Sequence, residues 1–190
     1  MIAHTYVFMG KPGSGKGTQA RLLADNLGMA LFNTSTELRT VADRNPHIDE
    51  KIETMMAAGT LVPYWLASFL WQRKLVSLSP DERLVIEGAV RVAEEARLFH
   101  DAMQWLERPY TVIELQVSDD SLRTRIQKRA GIEGRSDDAA VVLEERLREY
   151  REQTLPSINF FDRSGALLRI DGEPSIDVIH QDILVRLHLS

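Results

Sequence analysis

Cysteine is absent from the chain, which excludes a disulfide scaffold and a Cys-ligated zinc site. Long apolar runs are absent too. The longest near-apolar stretch, Leu61 to Trp71, spans 11 residues and contains Pro63, too short for a membrane helix. The first ten residues lack a basic segment followed by a long apolar one, so no secretory signal is visible. Positive charge is in deficit: 23 Lys and Arg stand against 28 Asp and Glu, a net charge of −5. A general nucleic-acid binder shows a basic excess, so that class is disfavoured. These absences point to a cytoplasmic protein with neither a membrane nor a nucleic acid as partner. What is present is an ordinary globular mix, 44% apolar and 27% charged. Its 190 residues fit a single domain over 1–190, with enough buried surface to need no covalent staple.

The chain alternates between two hydrophobic periods. Ala3 to Met9 reads as a buried strand stopped by glycine, and Gly15 to Leu27 as a helix. Met29 to Phe32 reads as a second strand. Thr36 to Ala58 carries two helical stretches parted near Asn45-Pro46, and Pro63 to Leu78 is another helix opened by its proline. Arg83 to Ile86, Tyr110 to Val117 and Ala166 to Ile170 are the remaining strands. Helices are expected over Ala93 to Trp105, Asp120 to Lys128, Ala139 to Phe161 and Ser175 to Leu187. Five apolar strands alternating with helices imply an α/β fold, a five-stranded parallel sheet with helices on both faces.

Gly10-Lys11-Pro12-Gly13-Ser14-Gly15-Lys16-Gly17-Thr18 sits between the first strand and the first helix. Four of the 11 glycines fall in these nine residues. Such a loop can turn backbone N–H groups inward around phosphate oxygens, and the helix N-terminus adds a positive dipole end there. Lys16 would reach the β- and γ-phosphates, and Thr18 lies near the expected Mg²⁺. The strict phosphate-loop pattern places Ser or Thr directly after the lysine; here Gly17 intervenes.

With Gln19 added, the loop resembles that of adenylate kinase and its nucleoside monophosphate kinase relatives, whose lysine is also followed by Gly-Thr. Thr34, Leu38 and Arg39 match that family's Ser-Thr-Gly-Asp-x-Leu-Arg segment, with Ser35 and Thr36 replacing its Gly-Asp. Gly59-Thr60-Leu61-Val62 matches Gly-x-Leu-Val, and Gly88 with Arg91 matches Asp-Gly-Phe-Pro-Arg. Arg125 and Arg129 match Arg-Ile-x-x-Arg; Arg135, Asp137, Asp138, Arg146 and Tyr150 match the closing motifs. No gap is needed between the loop and Arg91. The resemblance implies a phosphate-loop kinase with a helical acceptor-binding insertion over about 34–66 and a short lid near 129–136, too short for a zinc-bearing lid. Monomer is the family expectation.

Six arginines in an acidic protein suit phosphoryl transfer, where the protein supplies position and positive charge. By resemblance, ATP is held by Gly13, Ser14, Gly15, Lys16, Gly17, Thr18, Arg125, Arg129 and Gly172. The acceptor monophosphate is held by Thr34, Arg39, Thr60, Leu61, Val62, Gly88, Arg91 and Glu95. Arg135 and Arg146 bridge toward the transferring group and, with Lys16 and Arg91, form the catalytic set. Asp137 and Asp138 are either a hinge pair or acidic caps. The histidines show no ligand spacing, and Trp65, Trp71 and Trp105 read as packing.

Three departures fall in the acceptor half. Glu87 replaces an aspartate, and holds Mg²⁺ through water or braces the loop. Ala89-Val90 replaces Phe-Pro. Glu95 replaces the glutamine that reads adenine. An ionised Glu95 only accepts hydrogen bonds; pointing into the pocket it would disfavour AMP against GMP, UMP or dTMP. Turned outward, toward Arg91 or solvent, it would leave base choice to backbone groups of Thr60 to Val62, with AMP the default. A kinase for another small acceptor and a catalytically impaired nucleotide-binding protein are the alternative functions.

Overall fold

A computed structural model describes residues 5–43, 45–133 and 140–189, without the side chains of 127–133 and 140. The elements are β1 (Thr5–Gly10), α1 (Lys16–Leu27), β2 (Ala30–Asn33), α2 (Thr34–Ala42), α3 (Pro46–Ala58), α4 (Tyr64–Ser77) and β3 (Leu84–Glu87). They continue with α5 (Ala93–Trp105), β4 (Tyr110–Gln116), α6 (Asp119–Glu133), α7 (Ala140–Glu149), a π-helical turn (Tyr150–Thr154), α8 (Leu155–Arg163), β5 (Leu167–Asp171) and α9 (Ile176–Arg186). The strands form one parallel sheet in the order β2-β3-β1-β4-β5. The expected five-stranded parallel fold is the one observed.

Strand side chains alternate between two apolar layers. Val7, Met9, Leu84 and Ile86 enter the larger layer, with Leu70 and Trp71 of α4, Phe99 of α5 and Phe161 of α8. Tyr6, Phe8 and Val85 enter the other, with Leu23 of α1 and Ile179 and Ile183 of α9. Phe99 meets Trp71, Tyr110 and Phe161 edge-on, with ring centroids 5.4, 5.2 and 6.3 Å away, the geometry the ring quadrupoles favour.

Local chemistry marks the helix ends. Asn33 caps α2 through its side-chain oxygen on the Thr36 N–H, 3.1 Å away. Asn45 caps α3 in the same way with Pro46 following. Gly59 at φ 77° ends α3, a backbone state that favours glycine.

Three details depart from the sequence expectation. The single helix expected over Ala139 to Phe161 is broken at the π-helical turn, because Pro156 lacks the N–H that an uninterrupted helix would donate to residue 152. Helix α6 runs on through Gly131 to Glu133 rather than ending at Lys128; one glycine costs a helix only about 1 kcal/mol. Of the tryptophans read as packing, Trp71 is fully buried but Trp65 and Trp105 are 62% and 83% exposed. The inward face of α4 is already filled by Leu66, Leu70, Trp71 and Leu75, which leaves Trp65 on the outside. Among the described residues no helix is long and apolar enough to cross a membrane.

Candidate active site

Sheet register brings three strand ends together. Glu87 pairs with Phe8 of β1 and with Asn33 of β2, so the segments leaving β1, β2 and β3 start side by side at the carboxyl edge. Crevices at this edge are where open α/β sheets bind ligands. Asn33 joins two of them: its oxygen caps α2 while its amide N–H donates to Glu87 Oε2.

The glycine-rich loop leaves β1 through a run of left-handed residues, Gly10, Gly13 and Gly15, at φ 136°, 77° and 96°. A Cβ on Gly10 would lie 2.6 Å from the Leu115 carbonyl oxygen, and one on Gly13 2.9 Å from the Ile126 side chain. The chain can pass this close to β4 and α6 only as glycine. Lys16 Nζ donates to the Lys11 carbonyl at 2.6 Å. Lys11 Nζ in turn donates to the Val117 carbonyl at 3.0 Å and pairs with Asp119, tying the loop to the start of α6.

A cleft of about 900 Å³ opens here. From the loop and α1 it is lined by Gly13, Gly15, Lys16, Gly17 and Thr18. Thr34 and Arg39 of α2 face it, as do Thr60, Leu61 and Val62 between α3 and α4. Glu87, Gly88, Arg91 and Glu95 line it after β3, and Arg125 and Arg146 complete it. Residues far apart in sequence thus share one cavity. Ser14 lies fully buried behind the loop, its hydroxyl without a partner among the described residues. Gly172 does not line the cleft; its carbonyl accepts from Arg125 Nη2 at 2.7 Å, and the Glu173 carbonyl does so at 3.0 Å. The Glu173 carboxyl accepts from the Ser118 N–H at 2.7 Å. Hydrogen bonds from Ser121 and Ser118 hold it down at about 2. Arg135, Asp137, Asp138 and the side chain of Arg129 lie outside the described residues.

Glu95 has an arrangement of its own. It is 2% exposed. Oε1 accepts from the Trp71 indole N–H at 2.8 Å, and Oε2 from the Arg91 backbone N–H at 2.8 Å. The outward turn toward Arg91 or solvent that the sequence allowed is not what is seen: the carboxylate meets the Arg91 backbone N–H and turns into the protein. Burial pushes its carboxyl above the ordinary glutamate range, opposed by backbone hydrogen bonds at Val90 and Arg91 and by Trp71. Beside it Val90 holds φ 60°, a conformation that costs a β-branched residue about 1–3 kcal/mol. The Ser157 hydroxyl fixes the Val90 carbonyl at 2.6 Å.

Trp71 and Ser157 escaped the sequence reading as parts of the site. Neither lies at a motif spacing, and a tryptophan in an apolar helix looks like core until its N–H partner is seen. Arg123 and Arg148, outside the motifs, are ion-paired at the surface, Arg123 with Glu144 at 3.1 Å and Arg148 with Glu145 at 2.5 Å.

Residues 8–166 match the family model described as adenylate kinase. The chain belongs to the adenylate kinase family. It is 33% identical over 187 residues to an adenylate kinase of Thermus thermophilus, covering 98% of each chain. An adenylate kinase of Stenotrophomonas maltophilia is 31% identical over 182 residues, with 95% of this chain and 97% of the relative covered. One from Chlamydia pneumoniae is 29% identical over 205 residues, covering 94% and 95%. As a member of this family the chain is a nucleoside monophosphate kinase, an ATP-dependent phosphotransferase.

Proposed function

We propose that the acceptor is AMP, so that ATP and AMP give two ADP. The supporting observation is the double engagement of Glu95: with Trp71 on one oxygen and Arg91 on the other, no unpaired carboxylate oxygen meets the lone pair of an adenine N1. Base choice then falls to the backbone groups of Thr60 to Val62, which line the same cleft. A buried group left unpaired by the wrong base costs about 1–3 kcal/mol, or about fivefold to 150-fold. The test is kcat/KM for AMP, GMP, CMP, UMP and dTMP. AMP should lead by at least about fivefold; a higher value for GMP, UMP or dTMP overturns this choice of base.

In this reading Gly13 to Thr18 and Lys16 hold the donor phosphates, with N–H groups and the dipole of α1 aimed at them. Arg125 and Arg129 lie against the donor, and the Gly172 carbonyl orients Arg125. Thr34, Arg39, Gly88 and Arg91 hold the acceptor phosphate. Arg135 and Arg146 meet the group in transfer, where charge is spread over its oxygens. Clustering of Arg39, Arg91, Arg125 and Arg146 around one cleft supports transfer over simple binding, because a binder has no need to clamp two sets of phosphates. The insertion over 34–66 and the lid near 129–136 belong to this reading, as do a monomeric state and a cytoplasmic location, all carried by the family resemblance.

Magnesium fits the residues present. The Thr18 hydroxyl and the Glu87 carboxylate line the cleft, and hard oxygen donors with few carboxylates suit Mg²⁺ arriving with a nucleotide. When bound it would neutralise charge on the phosphates. Glu87 would hold it through water, itself oriented by the Asn33 amide. Glu87→Ala should therefore raise the Mg²⁺ concentration needed for half-maximal rate. An unchanged Mg²⁺ dependence would instead assign Glu87 to bracing Asn33 and the loop.

A further inference from the structure

Glu95 is more than a residue withdrawn from the base. The groups facing its oxygens are all hydrogen-bond donors that cannot accept: the Trp71 indole N–H on Oε1, the Arg91 peptide N–H on Oε2, and the backbone at Val90 beside it. A group placed there must therefore accept twice. A carboxylate does so; a glutamine amide, of the same shape, accepts once and turns an NH₂ toward an N–H.

The peptide it holds belongs to a constrained turn. Gly88 and Val90 both have left-handed backbones, at φ 86° and 60°. The Val90 carbonyl is pinned by Ser157 and the following N–H by Glu95. Out of this turn the Arg91 side chain reaches back over Gly88: a Cβ on Gly88 would stand 3.5 Å from Arg91 Nη2 and 3.3 Å from Thr34 Cβ. Arg91 and Thr34 both line the cleft. The peptide that Glu95 holds is thus the one from which the Arg91 guanidinium returns toward Gly88.

We propose that Glu95 is a positioning residue for Arg91, acting through the Arg91 backbone, and that the Trp71 N–H fixes Glu95 as a double acceptor. The inference goes beyond the assignment of base; it rests on the cleft binding a monophosphate near Arg91. Arg91 meets the phosphate, which every acceptor shares, so disturbing Glu95 should weaken all acceptors alike and leave ATP unaffected.

The experiment compares wild type, Glu95→Gln, Trp71→Phe and the double variant. Glu95→Gln should raise KM for AMP and for GMP by a common factor of about ten, the scale of one lost buried hydrogen bond, with KM for ATP within about twofold. In the Trp71→Phe background the offending donor is gone. The amide oxygen can take the Arg91 N–H there, and Glu95→Gln should add no more than about twofold. A changed AMP:GMP ratio would place Glu95 on the base. An equal loss in both backgrounds, or no loss in either, would also overturn the proposal. Thermal unfolding of the same four proteins without nucleotide reads the donor pattern independently: Tm losses should be strongly non-additive, and additive losses overturn it. A wild type that uses no monophosphate sinks the functional reading, and the unfolding cycle then still decides the Trp71–Glu95–Arg91 arrangement.

Discussion

Lys16→Met should lower kcat at least a hundredfold, about 2.7 kcal/mol of transition-state stabilisation, while the protein stays folded. The reasoning starts from where the ammonium stands. Lys16 opens α1, next to three left-handed glycines, and its Nζ already donates to the Lys11 carbonyl at 2.6 Å. A charge held within the loop needs little reorganisation to meet phosphate oxygens, and preorganised charge is what lowers a phosphoryl-transfer barrier. Methionine keeps the length and helix propensity of lysine and removes only the charge and the donor. The folding cost is then about 1 kcal/mol for a part-buried hydrogen bond, a shift of about 2–4 °C in Tm for a chain of this size. Arg148→Ala is the matched control, since that charge is spent on Glu145 and Glu152 at the surface. A Lys16→Met enzyme retaining more than a tenth of wild-type kcat would refute the role of the loop.

The sequence shows the sheet and the loop because both rest on local chemistry. Buried parallel strands need continuous apolar runs, and β1 and β3 have them; the loop needs glycine where φ is positive, and Gly10, Gly13 and Gly15 supply it. The cleft-facing arginines were legible through family spacing, since Arg39, Arg91, Arg125 and Arg146 each fall on a motif. Glu95 was legible only as a departure. Whether its carboxylate would face a base, solvent or the core depends on a partner 24 residues away in α4, and no periodicity reports such a contact. The same holds for Gly172, whose carbonyl accepts from Arg125 across 47 positions. The break of the long helix at Tyr150 carries a local signal, Pro156, but a proline in a first helical turn and one that forces a wider turn look alike in sequence.

Glycines in the loop divide into two kinds, and the division predicts opposite results. Gly10→Ala should destabilise the fold by about 2–6 kcal/mol. Its φ of 136° costs an L-residue about 1–3 kcal/mol, and the new methyl would sit 2.6 Å from the Leu115 carbonyl oxygen. That oxygen is backbone, on the strand with which Gly10 is paired, so relief requires β1 and β4 to part, a packing cost of about another 1–3 kcal/mol. With total stabilities of about 5–15 kcal/mol, Tm should fall by about 10 °C or more. Gly17 is different. Its φ is not positive, nothing lies within 4 Å of a Cβ built there, and it stands in the first turn of α1 facing the cleft. The fold makes no demand for glycine at that position. A side chain there would meet only what enters the cleft, so the demand comes from close approach of a ligand. Gly17→Ala should leave Tm unchanged or slightly raised, because alanine favours the helix by up to about 1 kcal/mol. KM for ATP should nonetheless rise about tenfold or more, the loss that one blocked phosphate hydrogen bond to a backbone N–H would bring. Thermal unfolding and ATP kinetics on the two variants separate the cases. A Gly17→Ala protein with normal ATP affinity would mean that phosphates do not approach α1 at its first turn, and a Gly10→Ala protein of wild-type stability would mean that the loop does not pass against β4.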